Sequence, residues 1–388
     1  MEPQLPSLFL LLVLSQDNNQ SLAFQSRFFN EEDIIKSVTD IDQRLARGQR
    51  SILDASSLIK EERNALRLLA KKYFIPSYVL LLNSSSDTYS EEHNFYRTLT
   101  NEGFRNIIVF DEGANQALVI NENPNDLRAM PGPFDIIGDI HGCYDEFVEL
   151  LVKLDYLIDG SIADINNLKI SHPENRKIIF VGDLVDKGPN SPDVLRLAMK
   201  IIGQGAAYCV LGNHEHKLLK KLKHNKGNLK HGLKESLSQL ENETPAFISQ
   251  VISFLDDLPH HLVLDNNKLV VAHAGIKEKM VLRDAGEIKA FCMYGETTGK
   301  LDQDGLPERL NWALNYSGNA KVVHGHVPKL KAEWQNNVLD IDTGCVYGGS
   351  LTCLRYPSMD LVSVKAHEQY SNPKNGRNPF KDYVNSRA

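Results

Sequence analysis

Residues 137–142 read Ile-Gly-Asp-Ile-His-Gly and follow the apolar run Phe134–Ile137. Asp139 and His141 stand two apart, a spacing that turns both side chains to one side of an extended backbone. A carboxylate and an imidazole on one edge suit a borderline or hard divalent metal. Such a pair alone is common in loops and decides nothing. The pattern recurs, however. Lys177–Val181 leads into Gly182-Asp183-Leu184-Val185-Asp186-Lys187-Gly188-Pro189, and Ala207–Leu211 into Gly212-Asn213-His214-Glu215-His216. Leu269–Ala272 leads into His273-Ala274-Gly275, and Lys321–Val323 into His324-Gly325-His326. Any one of these polar residues would ordinarily be a hydrogen-bonded structural group. Ligand-type residues at the ends of successive apolar strands, each beside or near a glycine, point instead to one metal centre.

The candidate ligands are Asp139, His141, Asp183, Asn213, His273 and His326. A carboxylate has two oxygens and can bridge two ions, and Asp183 is the expected bridge. His, Asp and Asn ligands without thiolates point to Mn2+, Fe2+, Ni2+ or Zn2+ rather than Mg2+ alone. Two such ions lower the pKa of a shared water and hold phosphoryl oxygens, the two-metal route to phosphoester hydrolysis. His214 is surplus to the ligand set and is expected to protonate the leaving oxygen. Asp186 is placed to orient His214, and Lys187 to hold phosphoryl oxygens.

These loops need strands to hold them. A chain of 388 residues, 42% hydrophobic and 24% charged, is an ordinary globular composition with room for more than one domain. A net charge of −7 argues against general affinity for nucleic acid or anionic membrane. Five cysteines without close spacing fit a reducing compartment better than a disulfide framework. The run Leu8–Leu14 lacks a basic flank and a cleavage site and is too short to span a bilayer, so it reads as a buried strand. The chain is therefore expected to be cytoplasmic and unanchored.

Residues 1–128 read as a separate small α/β layer. Strands are expected at Leu8–Leu14, Ser51–Leu53, Tyr78–Leu82 and Ile107–Phe110, with an amphipathic helix over Glu61–Lys72. The polar, breaker-rich stretch Asn121–Pro133 marks the boundary. A larger domain then runs over 132–366, with a helix at Cys143–Leu154, followed by a polar tail over 367–388.

The motifs resemble the binuclear metallophosphoesterases, in the branch containing Ser/Thr protein phosphatases and diadenosine tetraphosphate hydrolases. A closer resemblance is to the phosphatase module of bacterial polynucleotide kinase-phosphatase, an RNA repair enzyme. It rests on residues 133–143 (PFDIIGDIHGC), 231–237 (HGLKESL), 294–299 (YGETTG), Asn311-Trp312-Ala313 and 341–349 (IDTGCVYGG). The resemblance implies a calcineurin-like metallophosphoesterase β-sandwich flanked by helices. It places the family's metal ligands on the same six residues and an active-site aspartate on Asp342. It also implies a 3′-phosphatase or 2′,3′-cyclic phosphodiesterase acting on nucleic acid ends. Lys187 stands where the family has arginine, losing the bidentate fork.

The same family carries a P-loop kinase in front. Here Leu14 and Asn19 fall on the P-loop glycines and Gln20 on its lysine, leaving only Ser21, so kinase activity is not expected. The chain before Asp54 also looks too short for the usual intervening helices. The family's C-terminal ligase is not expected, as the chain ends at Ala388. Three functions compete: a phosphoesterase on nucleic acid or nucleotide ends, a protein phosphatase or dinucleoside tetraphosphate hydrolase, and a non-catalytic scaffold. For the first, seven lysines and one glutamate lie between Asn213 and Lys234, and Lys217, Lys220, Lys221 and Lys223 are candidate substrate contacts. A lysine run is otherwise a solvated helix face.

Overall fold

The computed structural model describes residues 3–15, 18–83, 89–111, 117–224, 232–301, 307–372 and 380. The chain divides into two compact units, Met1–Asn123 with Leu282–Ile288, and Pro124–Val281 with Lys289–Ala388. Among the described residues no helix is long and apolar enough to cross a membrane.

Unit 1 is built on a five-stranded parallel sheet. Its strands are β1 (Leu10–Leu14), β2 (Ile34–Ile35), β3 (Ser51–Asp54), β4 (Ser77–Asn83) and β5 (Asn106–Asp111), in the order β2-β3-β1-β4-β5. β1 is central and every residue in it is buried. Leu10, Leu12 and Leu14 pack into a cluster with Leu66 and Ala70, while Leu11 and Val13 pack with Phe24 and Phe110. A strand covered on both faces shows no alternation, which explains the unbroken run Leu-Leu-Leu-Val-Leu.

The expected helix at Glu61–Lys72 spans Lys60–Lys72. The segment before Asp54 does hold helices, contrary to expectation: Asn18–Phe28 and the shorter Ile41–Ala46. The first is anchored by aromatic contacts, with the Phe24 ring 5.0 Å from Phe110 and the Phe28 ring 5.4 Å from it. Those contacts are tertiary, and the helix's own sequence is too polar to announce itself.

Unit 2 is a sandwich. Its strands are β6 (Asp126–Leu127), β7 (Phe134–Ile137), β8 (Lys177–Phe180), β9 (Ala207–Cys209), β10 (His261–Leu264), β11 (Leu269–Ala272), β12 (Lys321–His324), β13 (Trp334–Gln335), β14 (Val338–Asp340), β15 (Ser350–Tyr356) and β16 (Asp360–Lys365). One sheet runs β9-β8-β7-β15-β16 and the other β13-β14-β12-β11-β10-β6. Ile136, Ile179 and Val210 meet Leu262, Val271, Val323 and Leu339 between the sheets. On the outer face Ile137, Ile178 and Phe180 pack with Phe147, Leu150, Leu195 and Leu218 of flanking helices. Alternate residues of β7 and β8 thus serve two cores, each buried isoleucine contributing roughly 1.5–3 kcal/mol. The buried Asp135 is the exception in its strand. Arg176 Nε lies 2.9 Å from it, Arg355 Nε 3.3 Å and the Tyr156 hydroxyl 3.0 Å, so its charge is answered.

The topology determines where the site lies. β7, β8 and β9 are parallel and in register, Phe180 pairing with both Ile137 and Cys209. In the other sheet β11, β12 and β14 are parallel and in register, Val323 pairing with Val271 and Leu339. Six parallel strands therefore release their loops at one end of the sandwich, where ligands of layered α/β proteins bind.

Candidate metal centre

Each loop is held by its neighbours. The Asp183 carbonyl accepts from the amides of Ile140 (3.1 Å) and His141 (2.8 Å), which ties the first two loops together. Five site residues adopt the left-handed region: His141 (φ 47°), Asp183 (51°), Asp186 (75°), Lys187 (70°) and His326 (80°). Such conformations cost on the order of 1–3 kcal/mol each and persist where the surroundings over-determine them. Glycine supplies clearance. A Cβ on Gly325 would collide with Asp139 Oδ1, and one on Gly212 with the Asp183 carboxylate.

Asp183 sits between two groups of donors. Its Oδ2 lies 3.6 Å from His141 Nε2 and 3.8 Å from His214 Nε2, while Oδ1 lies 3.3 Å from His273 Nε2. The described residues thus form one set of His141, Asp183 and His214, and a second of Asp183, His273 and His326. Two of the three histidines in contact with the bridge candidate are oriented from behind by backbone carbonyls. His141 Nδ1 donates to the Val185 carbonyl at 2.8 Å and His273 Nδ1 to that of Val181 at 3.0 Å. That leaves each Nε2 lone pair facing the centre. Asp139 lies beside them, its oxygens accepting from the His326 amide at 3.1 and 3.3 Å.

The donor set fits a cation. His273 Nε2 is 3.0 Å from both Asn213 Oδ1 and His326 Nδ1. With His273 Nδ1 already donating, at most one proton is available among these three acceptor atoms. Hydrogen bonding alone would turn the Asn213 amide about, so that its nitrogen donates to both imidazoles and its oxygen accepts from Lys217 Nζ at 3.0 Å. A divalent ion favours the other orientation, with the oxygen inward. His326 Nε2 is buried without a hydrogen-bond partner. Burial holds His141, His214 and His326 well below the ordinary imidazole pKa, the neutral form that metal binding requires.

The carboxylates show the same excess of negative charge. Burial, with Asp342 and Asp183 nearby, pushes Asp139 well above the usual range, and burial raises Asp342 to about 6. Burial would also raise Asp183, but His273, His214 and His141 outweigh it and hold it low. One cation already answers this field. Lys187 Nζ lies 2.7 Å from His141 Nε2 and 5.3 Å from the centre of the Tyr347 ring. Two divalent ions, when bound, would activate water and polarise phosphoryl oxygens.

His214 Nδ1 lies 2.6 Å from Asp186 Oδ2, a contact that orients the ring and leaves Nε2 toward the centre. The Asp186 amide is fixed in turn by the Ser236 hydroxyl at 2.9 Å. Among the described residues of the lysine run, Lys217 alone is brought to the site. Lys220 is exposed, and Lys223 pairs with Asp256 at 2.6 Å. Lys223 lies ten residues past Asn213 on the Asn213–His224 helix, about 15 Å along its axis. Lys221 is half-buried on that helix, two residues before Lys223. Lys226 and Lys230 fall outside the described residues.

Two site residues escaped sequence reasoning. Glu215, fully buried, accepts from the amides of Asp183 (2.7 Å), Leu184 (2.7 Å) and Val185 (3.2 Å), so it braces the loop that carries the bridge candidate. Its only sequence signal was its place in Asn213-His214-Glu215. Arg309 donates to the Tyr294 carbonyl at 2.5 Å, and its charge acts on His273, His326 and Lys217. No local pattern pointed to it.

The calcineurin-like phosphoesterase family model matches residues 132–369. The chain belongs to that family. The calcineurin-like domain is also similar to the asymmetrical bis(5′-nucleosyl)-tetraphosphatase PrpE of Anoxybacillus flavithermus, 41% identical over 241 residues, covering 61% of this chain and 96% of that protein. PrpE of Bacillus subtilis is 39% identical over 241 residues, covering 61% and 96%. Among solved structures, a serine/threonine phosphatase from Saccharomyces cerevisiae is 14% identical with a TM-score of 0.42, covering 63% of this chain and 83% of that one. The family makes this chain a metallophosphoesterase. The tetraphosphatase relatives match the dinucleoside tetraphosphate alternative better than the RNA-end reading.

Proposed function

We propose that the protein is a binuclear, metal-dependent hydrolase of dinucleoside tetraphosphates. Asp139, His141, Asp183, Asn213, His273 and His326 hold the ions, with Mn2+ the best fit to the donor set. Asp183, whose two oxygens face the two donor groups, would be the ligand shared between them. To act as the acid, His214, oriented by Asp186, must take up a second proton at Nε2 as the anionic substrate enters, and it then gives that proton to the leaving phosphate oxygen. Asp342 and Lys187 complete the polar floor.

The observation that carries the substrate class is a surplus of cations around the centre: Lys187, Lys217 and Arg309. When the Asn213 oxygen turns inward to an ion, the Lys217 ammonium loses that acceptor, and a phosphate is its natural replacement. A polyphosphate brings several charges where a phosphomonoester brings one group. The similarity to the tetraphosphatases across nearly their whole length supports the same reading.

The test is to supply diadenosine tetraphosphate with Mn2+ and separate the products. Attack of water at one terminal phosphorus gives AMP and ATP in equal amounts. A faster release of phosphate from an RNA oligomer bearing a 3′-phosphate would overturn the reading in favour of nucleic acid ends. That second reading is favoured by unit 1, whose central β1 and parallel sheet have the layout of a nucleotide-binding α/β domain.

A further inference from the structure

A separate group of donors lies behind the centre. Cys143 and Glu146 stand at the start of the Tyr144–Lys153 helix, and Cys345 follows Asp342 in the loop after β14. All three are buried, at 0%, 0% and 2% exposure. The two sulfurs and a carboxylate oxygen of Glu146 lie within 4.8 Å of one another. Glu146 Oε1 accepts from the His367 amide at 2.7 Å and the Tyr370 hydroxyl at 2.8 Å. Glu146 Oε2 is buried with no hydrogen-bond partner. A carboxylate oxygen buried without a partner is costly, and a cation would answer it.

A tetrahedral zinc ion has Zn–S bonds of about 2.3 Å and Zn–O bonds of about 2.0–2.2 Å, which places neighbouring donors roughly 3.5–3.8 Å apart. The group needs to contract by up to about 1.3 Å to reach that geometry. A disulfide between Cys143 and Cys345 would use the sulfurs and leave Glu146 Oε2 as it is. A metal accounts for all three residues.

We propose that Cys143, Glu146 and Cys345 bind a structural zinc ion, distinct from the two catalytic ions. Binding releases the two thiol protons to solvent. The two thiolates and the carboxylate, against the ion's double charge, leave one negative charge in the site. The Tyr370 hydroxyl, already bonded to Glu146, is at hand as a fourth donor. The ion would join two loops of the catalytic end: Cys143 lies two residues after His141, and Cys345 three after Asp342. Its role is to position those loops.

Because the site is closed, the ion must enter as the chain folds. The whole protein is therefore produced in zinc-depleted medium supplied with Co2+. The catalytic donor set contains only nitrogen and oxygen, so near-ultraviolet thiolate-to-cobalt charge transfer reports this site alone. The expected result is that absorption in the unaltered protein, with a third equivalent of metal. Replacing Cys143→Ser and Cys345→Ser together should remove the absorption and one equivalent, while the visible cobalt bands of the other centre persist. Cobalt-loaded unaltered protein without the charge-transfer absorption would overturn the proposal, and that measurement needs no variant to fold. So would its survival in the double variant, or a Cys143–Cys345 disulfide in the mass spectrum of the unreduced protein.

Discussion

The loop after β1 in unit 1 and the loop after β8 in unit 2 both leave buried apolar strands of parallel sheets, yet their hydrogen bonding is opposite in kind. After β1 the Ser15 amide donates to the Ser56 hydroxyl at 2.9 Å, and the Ser15 hydroxyl to Gln20 Oε1 at 2.8 Å. Ser21 is buried and accepts from Gln25 at 3.1 Å. Donors there meet acceptors within the protein. After β8, Asp183 faces His273, and His273 faces Asn213 and His326, acceptors against acceptors. A closed network leaves nothing for a ligand to supply, whereas convergent lone pairs lower their energy only when a cation arrives.

The widest gap between the two loops should appear on removing the metal or its bridge. Chelation, or Asp183→Ala, is expected to lower turnover of p-nitrophenyl phosphate roughly ten-thousand-fold, about 5.5 kcal/mol. Full activity after exhaustive dialysis against chelator would break the contrast. His214→Asn should lower hydrolysis of diadenosine tetraphosphate by about 10²–10⁴. The same change should do less to p-nitrophenyl phosphate, whose leaving group needs little protonation. An equal loss on both substrates would point to a ligand role instead.

Lys217→Met removes a charge-assisted hydrogen bond worth about 1.5–3 kcal/mol, roughly a ten- to hundredfold fall in kcat/KM on the tetraphosphate. The p-nitrophenyl phosphate rate serves as the control and should barely move. The fourth effect is on stability. Burial raises Asp186 and Asp342 to about 6. These groups hold protons in the folded state that the unfolded chain has released above its pKa of about 3.9. Their contribution is complete below pH 4 and is lost as pH rises through 6. Asp183, held low, acts only below that range. The buried imidazoles of His141, His214 and His326 act the other way and outnumber them. Held neutral in the folded state, they leave only the unfolded chain to take up protons as pH falls through about 6.5. Metal-free protein should therefore melt at lower temperature at pH 5 than at pH 7.5, and Mn2+ should widen that difference. Calorimetry showing greater stability at pH 5 would count against buried neutral imidazoles. Least should happen in unit 1. Ser15→Ala and Gln20→Ala should leave phosphatase rates unchanged, and ATP should bind more weakly than about 1 mM, near −4 kcal/mol. Tighter binding by calorimetry would show that the closed network opens.

How far the site was legible depends on the range of each interaction. Strand positions came from apolar runs such as Leu269–Ala272, since burial of a strand is written in its own residues. The ligand-type residues were legible because each follows its strand directly. Asn18–Phe28 was not, because Phe24 and Phe28 anchor it through Phe110, far along the chain. Glu215 had no signal beyond its place beside His214, because the amides it accepts from belong to the turn after β8, about thirty residues away. Among the lysines, charge pattern treated Lys217 and Lys223 alike, while the helix's position sends one to the centre and the other to Asp256.

Residue type and local spacing therefore determined the chemistry available to this protein: histidine, aspartate and asparagine at glycine-flanked strand ends, with acid and base candidates one to three residues away. The tertiary structure alone decided which of those atoms face one another. It brought Cys143 beside Cys345, which linear spacing had kept apart, and it set Arg309 among the site histidines. The physical reason is that coordination and charge coupling act over a few ångströms in space, and separation along the chain does not measure that distance.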